Sequence, residues 1–255
     1  SLQPMLKNKQ AMDKQIIQKE KADSTLADDY WRFERKFYIQ DHSLHEIENE
    51  ILRHPAVFRK IHHERQVNNI YFDSHGMQAF IDNVEGVAKR KKSRVRWYGE
   101  TFGPVEKAKL EYKIKQGFLG RKEHFTVAPF TMDAETGTTN LLKALDTSNL
   151  PAWVDRELSL LIPKLLNCYK RKYYLSADGK FRLTIDTDMR FMQPDSIHHG
   201  FNWHKVDQGN AVMELKYSGT EVNDKEARNV ASAFKFRMTK NSKYLNGIEF
   251  LYFVS

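Results

Sequence analysis

The chain has 255 residues, a net charge of +8 and a single cysteine, Cys168. One cysteine excludes an internal disulfide and suits a reducing compartment; with no apolar run near the roughly 20 residues that cross a bilayer and no signal-peptide core at the N-terminus, a soluble cytoplasmic domain is expected. The basic excess favours a polyanionic partner, whether nucleic acid, a phosphorylated small molecule, polyphosphate or an anionic membrane surface.

Residues 5–30 are polar, Lys-rich and free of glycine and proline. Met5, Leu6, Met12, Ile16 and Ile17 form a thin apolar stripe, which predicts a solvent-washed helical extension over residues 1–29, with a membrane-surface helix as the lesser reading, ahead of a single domain over 30–255. Residues 31–40 alternate like a strand, and Ser43 caps a helix through about Arg53 with Glu46 at capping-box spacing. Residues 67–73 read as a strand and 76–84 as a short helix or turn. Two further strands, 93–100 and 108–116, flank a Gly103-Pro104 turn, and 123–128 is another short one. The Leu-rich stretch 139–167 predicts helix broken at Pro151 and Pro163. Strand patterns resume at 168–175, at 181–188 after the Asp178-Gly179 turn, and at 211–217, and Asn223 caps a last helix over 223–237. The order is α+β and rich in hairpins.

Residues two apart share one face of a strand. Glu34 and Lys36 oppose Phe33 and Phe37, and Arg94 and Arg96 oppose Val95 and Trp97. Glu111, Lys113 and Lys115 oppose Leu110, Tyr112 and Ile114. Arg182, Thr184 and Asp186 oppose Phe181, Leu183 and Ile185, while Glu214 and Lys216 oppose Met213 and Leu215. One strand of this kind is an ordinary half-buried strand with its charges in water. Five of them, beside helices that need an apolar sheet face, predict the greasy face outside and the charged face inside a barrel. Like charges 4 Å apart repel by about 4 kcal/mol at an effective dielectric near 20, so such an interior calls for a bound polyanion. Its carboxylates, Glu34, Glu111, Asp186 and Glu214, offset part of the repulsion and are of the type that holds Mg²⁺ or Mn²⁺.

These segments, taken in order, resemble a known family. Glu34-Arg35-Lys36-Phe37, Ile70-Tyr71-Phe72-Asp73, Arg94-Val95-Arg96-Trp97-Tyr98-Gly99, Leu110-Glu111-Tyr112-Lys113, Tyr169-Lys170-Arg171, Arg182-Leu183-Thr184-Ile185-Asp186-Thr187, Glu214-Leu215-Lys216 and Ser242-Lys243-Tyr244 are similar to the catalytic domain of the vacuolar transporter chaperone (VTC) polyphosphate polymerases and their bacterial relatives, which are triphosphate tunnel metalloenzymes. The resemblance runs from about Tyr30 to Leu245. It implies an antiparallel eight-stranded β-barrel tunnel with helices packed outside. It also implies transfer of the ATP γ-phosphate onto a growing polyphosphate chain, with Mn²⁺ or Mg²⁺ as the divalent metal. Lys36, Arg94, Arg96, Lys113, Arg182 and Lys216 become the catalytic set. Tyr169, Arg171 and Lys243 join Lys115 on the substrate, and Glu214 becomes the metal ligand beside Glu34 and Glu111. The implied partners are ATP, pyrophosphate and polyphosphate, with nucleic acid disfavoured and any membrane association supplied by a partner.

Arg32 departs from the Glu-x-Glu-x-Lys pattern that the wider tunnel superfamily often shows on its first strand, which counts against a typical small-substrate triphosphatase. That hydrolase and a non-catalytic polyanion-binding module remain the competing readings. No Gly-x-x-x-x-Gly-Lys-Ser/Thr loop is present, the paired histidines lack a zinc frame, and Cys168 reads as a small buried hydrophobe. Lys89-Arg90-Lys91-Lys92 reads as a solvated loop or the basic mouth of a tunnel rather than a nucleic-acid patch.

Overall fold

The computed structural model describes residues 32–116, 119–195, 200–207 and 209–253; the helix expected over residues 1–29 lies outside them. No helix of the described residues is long and apolar enough to cross a membrane.

The described residues start with β1 (Arg32–Ile39) and α1 (Leu44–Leu52), where Ser43 and Glu46 form the predicted capping box. A long β2 (Arg59–Asp73), a short α2 (Gln78–Val84) and β3 (Lys89–Tyr98) follow. Next come β4 (Gly103–Val105), β5 (Ala108–Gln116), β6 (Leu119–Val127) and β7 (Phe130–Met132). Two helices, α3 (Thr139–Thr147) and α4 (Ala152–Leu158), lead into β8 (Ile162–Leu175) and β9 (Phe181–Pro194). The chain continues through β10 (Phe201–Asp207), β11 (Ala211–Ser218), α5 (Asp224–Ser232) and α6 (Lys243–Ile248).

One antiparallel path of eight strands runs β1-β11-β9-β8-β2-β3-β5-β6, with β10 paired to the far half of β9; β4 and β7 form a separate two-stranded piece. Between β1 and β5 lie five strands, which in a flat sheet would set them roughly 29 Å apart at the usual strand spacing. Instead Lys113 Nζ on β5 stands 3.3 Å from Glu34 Oε2 on β1, so the sheet curls round on itself. The free edge of β1 is covered by the C-terminal segment: Thr239 donates its backbone N–H to the Lys36 carbonyl, and Phe37 bridges to Met238.

Two apolar clusters lie on the outer face, as alternation predicts. Phe37, Phe181, Leu183, Ile185, Met213 and Leu215 pack beneath α1 and α5 through Ile47, Ile51, Ala227 and Ala231. Val95, Trp97, Leu110 and Tyr112 pack beneath α3 and α4 through Leu141, Leu145 and Val154. A third cluster was not expected. At one end of the inner face Val67, Tyr71, Leu165, Tyr169, Phe191 and Val212 close around Tyr244 and Ile248 of α6. The interior is thus charged over part of its length and stopped by an apolar plug.

Several boundaries differ from the sequence reading. Ile162–Asn167 is strand, since Leu165 faces the plug while Leu166 faces the outer core, an alternation that a Leu-rich helix pattern mimics. Gly103 and Pro104 belong to β4 rather than a bare turn. Lys89–Lys92 is the first half of β3, paired residue for residue with Ile114–Gln116 and Lys113, and not a loop. The last helix stops at Ser232, short of residue 237.

Candidate active site

The inner charged face is built by register. Glu34 pairs with Lys216 and Lys36 with Glu214 across β1 and β11. Lys216 pairs with Arg182 and Glu214 with Thr184 across β11 and β9. Arg171 pairs with Asp186 across β8 and β9, and Arg94 with Glu111 across β3 and β5. Four of these six pairs place a base beside an acid on one face, Lys216–Arg182 and Glu214–Thr184 being the exceptions, so the interior interleaves charges of both signs, with cations outnumbering carboxylates.

Three knots of charge organise it. In the deepest, Asp186 is fully buried and takes Arg171 Nε at 2.5 Å and Nη2 at 2.7 Å, while Lys243 Nζ reaches Oδ2 at 2.5 Å. The planar guanidinium fork matches a carboxylate in this side-on manner. Tyr169 lies against both cations, its ring 5.2 Å from Arg171 Cζ and 4.9 Å from Lys243 Nζ. In the second, Glu214 has Lys216 at 3.2 Å, Lys243 at 3.5 Å, Lys36 at 3.6 Å and Arg171 at 3.8 Å, and Lys36 and Lys216 also flank Glu34 at 3.9 and 3.8 Å. The third is Glu111, with Arg94 at 2.6 Å, Lys122 at 3.2 Å and Arg96 at 3.9 Å. Arg94 also donates to the Tyr71 hydroxyl, and Arg96 to the Asn69 side chain.

Burial alone would push these carboxyls up, but the surrounding cations win. Lys216 and Lys113 hold Glu34 at about 2. Arg94 and Arg96 hold Glu111 well below the usual range, Lys216 and Lys243 do so for Glu214, and Arg171 and Lys243 for Asp186. All four stay ionised near neutrality, so none is a ready proton donor. Lys92 goes the other way: burial, then Lys36 and Lys113, bring it down to about 7.

The predicted residues therefore fall on one inner surface, but not all in one place. Lys36, Arg171, Lys216, Lys243, Glu34 and Glu214 meet directly, with Tyr169 against Arg171 and Lys243. Arg94, Arg96 and Glu111 form their own group on β3 and β5, and Lys113 spans the gap to Glu34. Arg182 stands beside Lys216 by register and is exposed, and Lys115 lies half-buried opposite Arg90. Sequence reading undervalued Asp186, which anchors the deepest knot, named Lys92 only within a basic run taken as a loop or tunnel mouth, and missed Lys122 and Arg65. Arg65 lies opposite Arg171, its Cζ 5.4 Å from the Tyr173 ring. Extending the Arg94–Arg96 alternation back by two residues would have found Lys92, but a run of four bases hides the strand.

The donor chemistry suits a hard divalent ion only in part. Glu214 and Glu34 offer carboxylate oxygens toward a shared space, the ligand type that Mg²⁺ and Mn²⁺ take. Among the described residues no three His, Cys, Asp or Glu side chains converge to cage an ion. Phosphate oxygens and water would complete the shell, which is how Mg²⁺ commonly sits in phosphoryl-transfer sites.

Structural comparison returns a Vibrio parahaemolyticus protein provisionally described as an adenylate cyclase, at 12% identity and TM-score 0.48, covering 84% of this chain and 95% of that one. The PH1819 protein of Pyrococcus horikoshii OT3 matches at 12% identity and TM-score 0.46, covering 86% and 99%. A Hippeastrum protein, provisionally described as an adenylyl cyclase and reported to have a dominant triphosphatase activity, matches at 12% identity and TM-score 0.43, covering 84% and 95%. No curated protein matches the chain in sequence. The family pattern of the VTC domain does match, over residues 31–252, which is nearly all of the curled sheet and its inner charged face, and the protein is therefore a member of the VTC domain family.

Proposed function

We propose that the protein is an ATP-polyphosphate phosphotransferase that lengthens a polyphosphate chain within the curled sheet. The observation that carries this reading is the convergence of Lys36, Arg94, Arg96, Arg171, Lys216 and Lys243 on one interior, interleaved with carboxylates that stay ionised. A triphosphate needs many point charges along its length, and phosphoryl transfer asks mainly for positioning and charge neutralisation. Arg94, Arg96, Arg171 and Arg182 grip phosphate oxygens through their planar forks. Lys36, Lys113 and Lys216 act as point charges that follow the γ-phosphoryl as it moves, Lys243 is a fixed charge at the deep end, Lys115 guides the chain and Tyr169 walls that end. An ionised oxygen of the terminal phosphate attacks the γ-phosphorus, the bond to the β–γ bridging oxygen breaks, and ADP leaves with that oxygen. The acceptor is already deprotonated, so no general base is required. A bound Mn²⁺ or Mg²⁺ would supply Lewis-acid neutralisation of the phosphate oxygens. Glu214 is the residue we assign to hold it, with Glu34 and Glu111 as further carboxylates, each of which also positions the cations around it. ATP, pyrophosphate and polyphosphate are the partners, and we place the reaction in the cytoplasm, where ATP is, with any membrane tie made through another protein.

Incubation with ATP, Mn²⁺ and pyrophosphate, followed by a gel stained for polyphosphate, tests the reading. A ladder of products is expected. Free phosphate without a ladder would replace synthesis by hydrolysis, and unchanged ATP would leave a binding module. Glu214→Gln, close in shape to the native residue, should lower metal-dependent turnover by at least a hundredfold yet bind tripolyphosphate in EDTA; full turnover by this variant removes Glu214 from the metal.

A further inference from the structure

The cations gathered around Asp186, Glu214, Glu34 and Glu111 each stand within 4 Å of a carboxylate, and Lys92 does not. Its neighbour across β5 is Lys113, and Arg90 and Arg94 flank it on β3. From β1 it is faced by Lys36. The acids nearby are engaged elsewhere. Glu34 is shared by Lys113, Lys36 and Lys216, and Glu111 by Arg94, Lys122 and Arg96. On β2, Asp73 accepts from the Tyr244 hydroxyl and from the backbone N–H groups of Ser74, Ala79 and Phe80, while Tyr71 takes Arg94. From α6, Lys243 turns to Asp186 and Glu214, and Tyr244 offers its ring at 5.9 Å. Lys92 donates to the Ser242 hydroxyl at 2.9 Å, and among the described residues no carboxylate lies within salt-bridge distance of its ammonium.

A half-buried amine ringed by Lys36, Lys113, Arg90 and Arg94 sits in positive charge that no protein carboxylate beside it offsets. We propose that Lys92 is a further phosphate-binding residue of the interior, one that takes up a proton as the phosphate chain arrives beside it. This rests on the reading that the interior binds phosphate chains, and it adds a residue and a proton to that reading. Burial, and then the like charges around it, bring Lys92 down to about 7, because both disfavour the ammonium. An incoming phosphate reverses the local field. Binding and protonation then support each other by linkage, so phosphate affinity weakens as pH rises above 7.

Calorimetric titration of the full chain with tripolyphosphate in EDTA, in buffers of differing ionisation enthalpy, reads the proton directly. At pH 8 wild type should take up close to one proton more than Lys92→Arg, whose guanidinium is charged in both states. Between pH 7 and 9 its affinity should fall by up to about tenfold per unit relative to that variant. The ligand's own ionisation is common to both and cancels. Lys92→Met, which fills the site without a charge, should lose the same proton and also bind at least tenfold more weakly, so either variant serves if the other fails to fold. Proton uptake and pH dependence equal to wild type in the variants overturn the proposal alone. A wild type that binds no tripolyphosphate at any pH overturns it together with the reading beneath it.

Discussion

Arg94 has two duties that mutation can separate. It touches the Tyr71 hydroxyl and neutralises Glu111, which is 6% exposed. Arg94→Ala removes a phosphate grip worth about 1.5–3 kcal/mol, or roughly ten- to hundredfold in tripolyphosphate affinity. It also strips Glu111 of its nearest cation, which costs stability because a buried charge loses its partner. The pair Arg94→Met/Glu111→Gln should recover the urea midpoint and leave the affinity low; recovery of both would mean that Arg94 only supports the fold. Lys92 makes the opposite prediction for stability measured without phosphate. Its ordinary value is 10.5 and its folded value about 7, so the unfolded chain holds this proton over the window in which the folded chain has released it. Stability from this group therefore rises with pH from about 7 to about 10.5, and is lost on going down. Lys92→Met should flatten that part of the stability profile and raise the melting temperature at pH 7; an unchanged slope would show that Lys92 keeps its charge.

At the scale of elements, α6 is what brings Lys243 to Asp186 and Glu214. It can pack so closely because Gly247 leaves room: a Cβ there would stand 2.5 Å from a Leu165 methyl and 2.7 Å from the Phe191 ring. Gly247→Ala should cost about 1–3 kcal/mol by overpacking and, by displacing the helix, weaken tripolyphosphate binding along with it. A stability loss in urea with unchanged affinity would separate Lys243 from the site. The sheet that α6 packs on was largely legible in the sequence, since the alternation of Phe33, Glu34, Arg35, Lys36 and Phe37, or of Met213 to Lys216, states a strand and its two faces in a few residues. Ser43 with Glu46, and Asn223, stated helix starts through their side chains. What stayed hidden has a physical cause in each case. Lys89–Lys92 and Arg59–Gln66 are strands whose charged residues lie on both faces, so period two carries no contrast. α6 is too short for a helical period to show, and its value lies in a long-range contact between Lys243 and residues 57 and 29 positions earlier. The apolar plug could not be read at all, because Val67, Tyr71, Tyr169 and Val212 look like ordinary core until the sheet curls.

For the molecule as a whole, the +8 charge and the interior charge act at different ranges, and salt distinguishes them. Inner-face cations still open to water, such as Lys113 at 59% and Lys122 at 43% exposure, act on a phosphate chain in solution through a field that ions screen. The screening length falls from about 10 Å at 0.1 M to about 3 Å at 1 M salt. Arg171 and Lys243, at 9% and 8% exposure, grip the chain where few ions enter. Raising salt over that range should then slow association of tripolyphosphate by tenfold or more, as expected where charge steers the encounter, and change dissociation only severalfold. Stopped-flow measurement in EDTA reads both rates. If instead the two rates change equally, the phosphate is being held on the open surface, and the buried knots around Asp186 and Glu214 belong to the fold and not to the site.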